Sequence, residues 1–98
     1  MMMSNGNYID AYIYYSLFQA LITEGNIDGA IHHIILFRER LSEDFLIFDD
    51  KFEVFLCEIE EMLYEPEVNL LKIIKKANTV NSWLATGAKL QRIGVSND

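Results

Sequence analysis

The sequence predicts an all-α protein, a compact bundle of about five short helices forming a single domain over residues 1–98. Three observations predict it. Apolar residues recur at spacings of three and four along much of the chain, most clearly at Phe52, Phe55, Leu56, Ile59, Met62 and Leu63. Apolar residues make up 51% of the total, enough for one packed core, and no long linker or low-complexity stretch divides the chain. Helix breakers stand where the periodic stretches end, Gly25 after the first and Pro66 after the central one.

Taken in order, residues 1–6 are expected to fray, and Ser4 or Asn7 caps a first helix over residues 8–24, stopped by Gly25. This helix is apolar nearly all round, which implies burial on more than one side. Tyr8, Tyr12, Tyr15 and Gln19 form one stripe, while Ile13, Leu17, Phe18, Ala20 and Leu21 cover much of the other side. The stripe reads as a boundary row under a neighbouring helix, its hydroxyls at the edge; a binding surface is the alternative. A tight turn follows at residues 25–29. Asn26 or Asp28 caps a second helix from Gly29 or Ala30 to about Leu41, with Ile31, Ile34, Ile35 and Leu41 inward and Ala30 and Phe37 at the margin. The spacing of Gly25, Ile27, Ala30 and Ile34 resembles the turn of one tetratricopeptide unit, which implies a close antiparallel hairpin. No second copy follows.

Residues 42–48 include four apolar residues in a row, Phe45 to Phe48, and are expected as a buried connection or short helical turn, with a strand as the alternative. Asp49 and Asp50 then cap a central helix that runs to Glu65. Pro66 suits the first turn of the next helix, expected to reach Asn78 with Lys72, Lys75 and Lys76 outward. The polar run at residues 78–82 predicts a break. A last short helix would hold Trp83, Leu84 and Leu90, loosened by Gly87 and frayed over residues 94–98.

Charge is segregated along the chain. Residues 1–67 hold fourteen acids and three bases, a balance of −11; residues 68–98 hold five bases and one acid, a balance of +4. Such a split predicts a bipolar molecule whose acidic side attracts a basic partner. One cysteine excludes an internal disulfide, the opening residues lack the pattern of a secretory leader, and no apolar run is long enough to span a bilayer. The expected setting is therefore cytoplasmic.

Catalytic and metal chemistry find little support. His32 and His33 are adjacent, so on a helix they diverge by about 100° and chelate one ion poorly. Cys57 lies in an acidic helix, where neighbouring carboxylates oppose a thiolate. The paired acids Glu43-Asp44, Asp49-Asp50 and Glu60-Glu61 have no accompanying triad or phosphate loop. Neither an enzyme nor a cofactor is expected. The C-terminal third has the rhythm of a helix-turn-helix, with Lys72, Lys75, Lys76, Lys89 and Arg92 as phosphate contacts. Against DNA stands the acidity of the rest.

What remains is protein binding. The candidate contact residues are Asp49, Asp50, Glu53, Glu60, Glu61 and Tyr64, on the outer face of the central helix. In size, acidity and lack of motifs the chain is similar to small immunity proteins and antitoxins of bacterial toxin systems. That resemblance implies a basic, nuclease-type protein partner whose cationic substrate site is occluded by carboxylates. The alternatives are a DNA-associated regulator using the basic third, and an accessory chaperone or structural subunit using the tyrosine stripe.

Overall fold

The computed structural model describes residues 6–96, and side chains as far as residue 92. The expected fraying at residues 1–5 and 97–98 lies outside the described residues. Four helices appear: α1 (Tyr8–Thr23), α2 (Ile27–Glu43), α3 (Asp50–Leu63) and α4 (Leu70–Ser96). No strand occurs among the described residues. Each helix packs on its neighbours around a ring, α1 on α2, α2 on α3, α3 on α4 and α4 back on α1. The pairings of Tyr8 with Gln91 and Tyr15 with Ala77 set α4 antiparallel to α1. Those of Phe52 with Trp83 and Glu58 with Lys76 set it antiparallel to α3. The result is an up-down-up-down bundle.

Local chemistry fixes the helix starts. Asn7, Asn26 and Asp49 cap α1, α2 and α3, each side-chain oxygen accepting from a backbone N–H of the first turn. Gly25 ends the α1–α2 turn at φ +78°, a conformation that glycine adopts without a Cβ penalty. The second helix thus begins two residues before Gly29, because Asn26 can cap it directly.

The core is one cluster drawn from all four helices, and its densest part is aromatic. Phe37 and Ala30 of α2, expected at the margin, are fully buried while Ile31 and Ile35 are only half-buried. The Tyr15, Phe45 and Tyr14 rings are centred 5.2, 5.9 and 6.1 Å from that of Phe37. The Tyr15 hydroxyl donates to the carbonyl of Ala77 at 3.0 Å, so its polar atom is satisfied inside the bundle, not at the edge. Burial holds that phenol well above its ordinary pKa.

Of the expected buried connection over residues 42–48, Ser42 and Glu43 instead extend α2, and residues 45–48 form a link with no helical turn or strand that is buried only at alternate positions. Phe45 and Ile47 point in, Leu46 and Phe48 point out. The link is pinned by backbone bonds from Ile47 N–H to Leu41 and from Asn7 N–H to Phe45. Leu46 sits at φ +55°, a strained region for a branched side chain.

The C-terminal third differs most from expectation. Residues 78–82 do not break the chain; α4 runs through them and on through 94–96. Ile73, Ala77, Val80, Leu84 and Ala88 form one buried stripe at spacings of four, three, four and four. That burial overrides the weak helix propensity of Asn78, Thr79, Asn81 and Ser82. Thr79 donates its hydroxyl to the Lys75 carbonyl, and Asn78 accepts from Gln19 of α1 at 3.0 Å. Gly87 does not loosen the helix. It makes room for the Tyr8 ring, into which a Cβ at that position would drive. Pro66 precedes α4 instead of entering it, because Asn69 supplies a better start, its side chain accepting from Lys72 N–H at 3.2 Å. Four helices stand where five were expected.

One contact joins the first helix to the last across the chain. The Gln91 side-chain oxygen accepts from the backbone N–H groups of Tyr8 and Ile9 at 2.8 and 3.2 Å, and its amide donates to the Gly6 carbonyl. These are N–H groups that no residue within α1 can satisfy.

His33 makes a pH prediction. It is buried, with its Nε2–H donating to the Tyr14 carbonyl at 2.8 Å. Burial lowers its pKa below the usual histidine value, outweighing the bond to Tyr14, and the His32 charge adds to the lowering. The unfolded chain therefore takes up this proton more readily than the folded one. Its stabilising contribution is complete above about pH 6.5 and is lost as pH falls through the lower, folded value. Urea midpoints should fall on acidification from about pH 6.5 to 5, and His33→Gln should flatten the slope. Equal slopes in both proteins would assign the dependence to other groups.

Candidate functional site

The outer face of α3 is where the candidate contact residues stand. Phe52, Leu56, Ile59 and Leu63 bury one side, so the opposite side must carry Asp50, Val54, Cys57, Glu61 and Tyr64 at spacings of four, three, four and three. Val54 and Tyr64 are more than half exposed, at 52% and 59%, and Asp50 and Glu61 are exposed beside them. Cys57 is half-buried. The stripe alternates apolar surface with carboxylate.

The flanks of α3 behave differently. Glu53 and Glu60 are seven residues apart, two helical turns, and both lean towards α2. Arg38 sits between them, its guanidinium 2.6 Å from Glu53 and 2.5 Å from Glu60. Hydrogen bonding to Glu53 is the main reason that the Arg38 pKa lies above its ordinary value. Two carboxylates around one cation leave the trio with a net −1. On the other flank, Glu58 pairs with Lys76 at 2.7 Å. Asp49 caps the helix and lies 3.6 Å from Lys51, whose ammonium reaches over the Trp83 ring at 4.9 Å, on the α4 side. Of the six sequence candidates, then, Asp50, Glu61 and Tyr64 face solvent with no ion partner among the described residues. Glu53 and Glu60 are gathered on Arg38, and Asp49 serves the helix start. Sequence alone offered no way to see that Arg38 reaches this far.

A second surface lies on α1, whose tyrosine stripe is a row packed under a neighbouring helix as expected. The stripe of Tyr8, Tyr15 and Gln19 lies under α4, and Tyr12 is at its exposed margin. The residues left in water are Ile13 and Leu17, at 61% and 56% exposure, with Ala20 beyond them. They belong to the side that was expected to be covered. A groove of about 700 Å³ runs between α1 and α4, lined by Ile9, Tyr12, Ile13, Ala85, Ala88, Lys89 and Arg92. The signal for this face was already present in α1, which is apolar nearly all round although a bundle covers only one side of it.

No family model matches the chain, and neither does any curated protein or solved structure.

The site must therefore be read from its own chemistry. Among the described residues no group of three or more His, Cys, Asp and Glu side chains could hold a metal ion, and no helix is long and apolar enough to cross a membrane. The helix-turn-helix outline of the C-terminal third does not survive, because the residues of its turn lie inside α4. Its basic residues are spread along that one helix, and Lys76 is engaged with Glu58 and with the Phe55 ring at 4.4 Å. The surface carries two distinct faces, one acidic and mixed with apolar groups on α3, one apolar with a basic rim along α1 and α4.

Proposed function

We propose that this chain is a protein-binding module that captures a basic protein through the acidic side built on α2 and α3, and inhibits it. The observation that supports this reading is the outward stripe of α3, where Asp50 and Glu61 stand beside the exposed Val54 and Tyr64. Carboxylates steer a cationic surface into contact, and the exposed apolar groups then slow its release. A nuclease-type toxin is the partner class with the closest chemical match. Its substrate site is cationic because it holds phosphates, and carboxylates set in that site would block it. The clasp of Arg38 on Glu53 and Glu60 fixes two further carboxylates in place, so they lose little freedom on docking. In this reading the protein acts as an immunity protein or antitoxin.

Co-purification from its own cells tests the proposal, with an Asp50→Lys, Glu61→Lys double variant run in parallel. Expected is a partner of net positive charge, retained by the parent and lost by the variant. With the purified pair, the association rate should fall about ten-fold or more between roughly 0.05 and 0.5 M salt. A partner of net negative charge, equal retention by both proteins, or a rate indifferent to salt would overturn the reading.

A further inference from the structure

A helix on the outside of a bundle ordinarily has one apolar face. Helix α1 has two. Ala11, Tyr15, Phe18 and Ile22 fill the core, yet the opposite face carries Ile9, Tyr12, Ile13, Leu17 and Ala20. No acid or base occurs between Asp10 and Glu24. An uncharged row of this length, with Ile13 and Leu17 mostly in water, marks an interface.

We propose that a second copy of this chain covers this face, in a two-fold dimer with the two α1 helices antiparallel. This goes beyond the acidic surface described above and does not depend on it. Two features select a second copy as the occupant. The first is size. A two-fold axis passing between Ser16 and Leu17 sets Ile13 of one copy against Ala20 of the other, and brings the two Leu17 side chains together beside the axis. The Ile13–Ala20 pair matches a large side chain to a small one and occurs twice, as an isologous contact requires, and the Leu17 pair closes the apolar seam between its two copies. The second is charge. Glu24 is exposed at the C-terminal end of α1, where the helix dipole is negative. Lys89 is exposed at the rim of the α1–α4 groove, beside Ile9 and Tyr12. The antiparallel arrangement carries Glu24 of each copy to the Lys89 rim of the other, and lays the last turn of α1 over the groove floor of Ala85 and Ala88. The acidic stripes of α3 then face outward from both copies, giving a bivalent particle.

Sedimentation equilibrium tests the assignment. The parent should show twice the 11.4 kDa of one chain, and an Ile13→Asp, Leu17→Asp variant should show the single mass with its helical circular dichroism unchanged. Charge provides a test that leaves the core alone: Glu24→Lys should weaken association about ten-fold, and adding Lys89→Glu to the same chain should restore it. A parent that stays single at roughly 100 µM would overturn the dimer. So would a dimer that survives the Asp substitutions, or a Glu24→Lys loss that Lys89→Glu leaves unrepaired.

Discussion

Phe37→Ala should lower the stability of this protein by about 3–5 kcal/mol, the range for emptying a buried aromatic site. Phe37 has no exposed surface and touches three rings from two other parts of the chain: Tyr14 and Tyr15 on α1, and Phe45 in the α2–α3 connection. Truncation removes the ring and leaves its neighbours facing a void that four rigidly connected helices cannot close. A domain of this size has a total stability of only about 5–15 kcal/mol, and one kcal/mol moves its melting point by roughly 4–8 °C. The variant should therefore melt at least about 12 °C below the parent. Phe37→Leu keeps most of the volume and should cost about 1.5 kcal/mol or less. Urea titrations check both, provided that the slope of stability against denaturant stays constant. A loss below about 1 kcal/mol for Phe37→Ala would mean that the aromatic cluster is not packed as described.

Gln91→Leu should cost about 2 kcal/mol, a large effect for a residue at the margin of the core. The substitution leaves the N–H groups of Tyr8 and Ile9 without their acceptor and the Gly6 carbonyl without its donor. Each bond at such a half-buried place contributes about 0.5–1.5 kcal/mol net, less where water can enter. Gln91→Glu separates the roles. It keeps an acceptor for the two N–H groups and puts negative charge at the positive end of α1, but it can no longer donate to Gly6. Its stability should fall between those of the parent and Gln91→Leu. Amide hydrogen exchange at Tyr8 and Ile9 reports the same contact directly. Unchanged protection in Gln91→Leu would show that other groups hold the start of α1.

The first three helices were legible because their signals are local. Asn7, Asn26 and Asp49 are caps that act within three residues, and Gly25 takes its positive φ in the turn that needed it. Helix α4 was not, because Asn78 to Ser82 read locally as a break while the stripe from Ile73 to Ala88 that overrides it acts through packing on other helices. The same division runs through the candidate surfaces. The outward placement of Asp50, Glu61 and Tyr64 follows from helical spacing alone. That Glu53 and Glu60 converge on Arg38 depends on how α2 and α3 are set against each other, which no spacing within either helix encodes. In α1 the sequence carried the signal of two apolar faces, but only the packed bundle shows which of them lies inside.

The pairing of α1 with α4 also has a consequence in time. These two helices share the broadest contact in the bundle, although they are the first and last of its four described helices. A ribosome adds about 5–20 residues each second, so several seconds separate the completion of α1 from the appearance of the residues that cover Tyr15 and Ala11. For that interval the most apolar helix of the protein has only α2 against it. The chain is thus most open to wrong associations of α1 before α4 has been made.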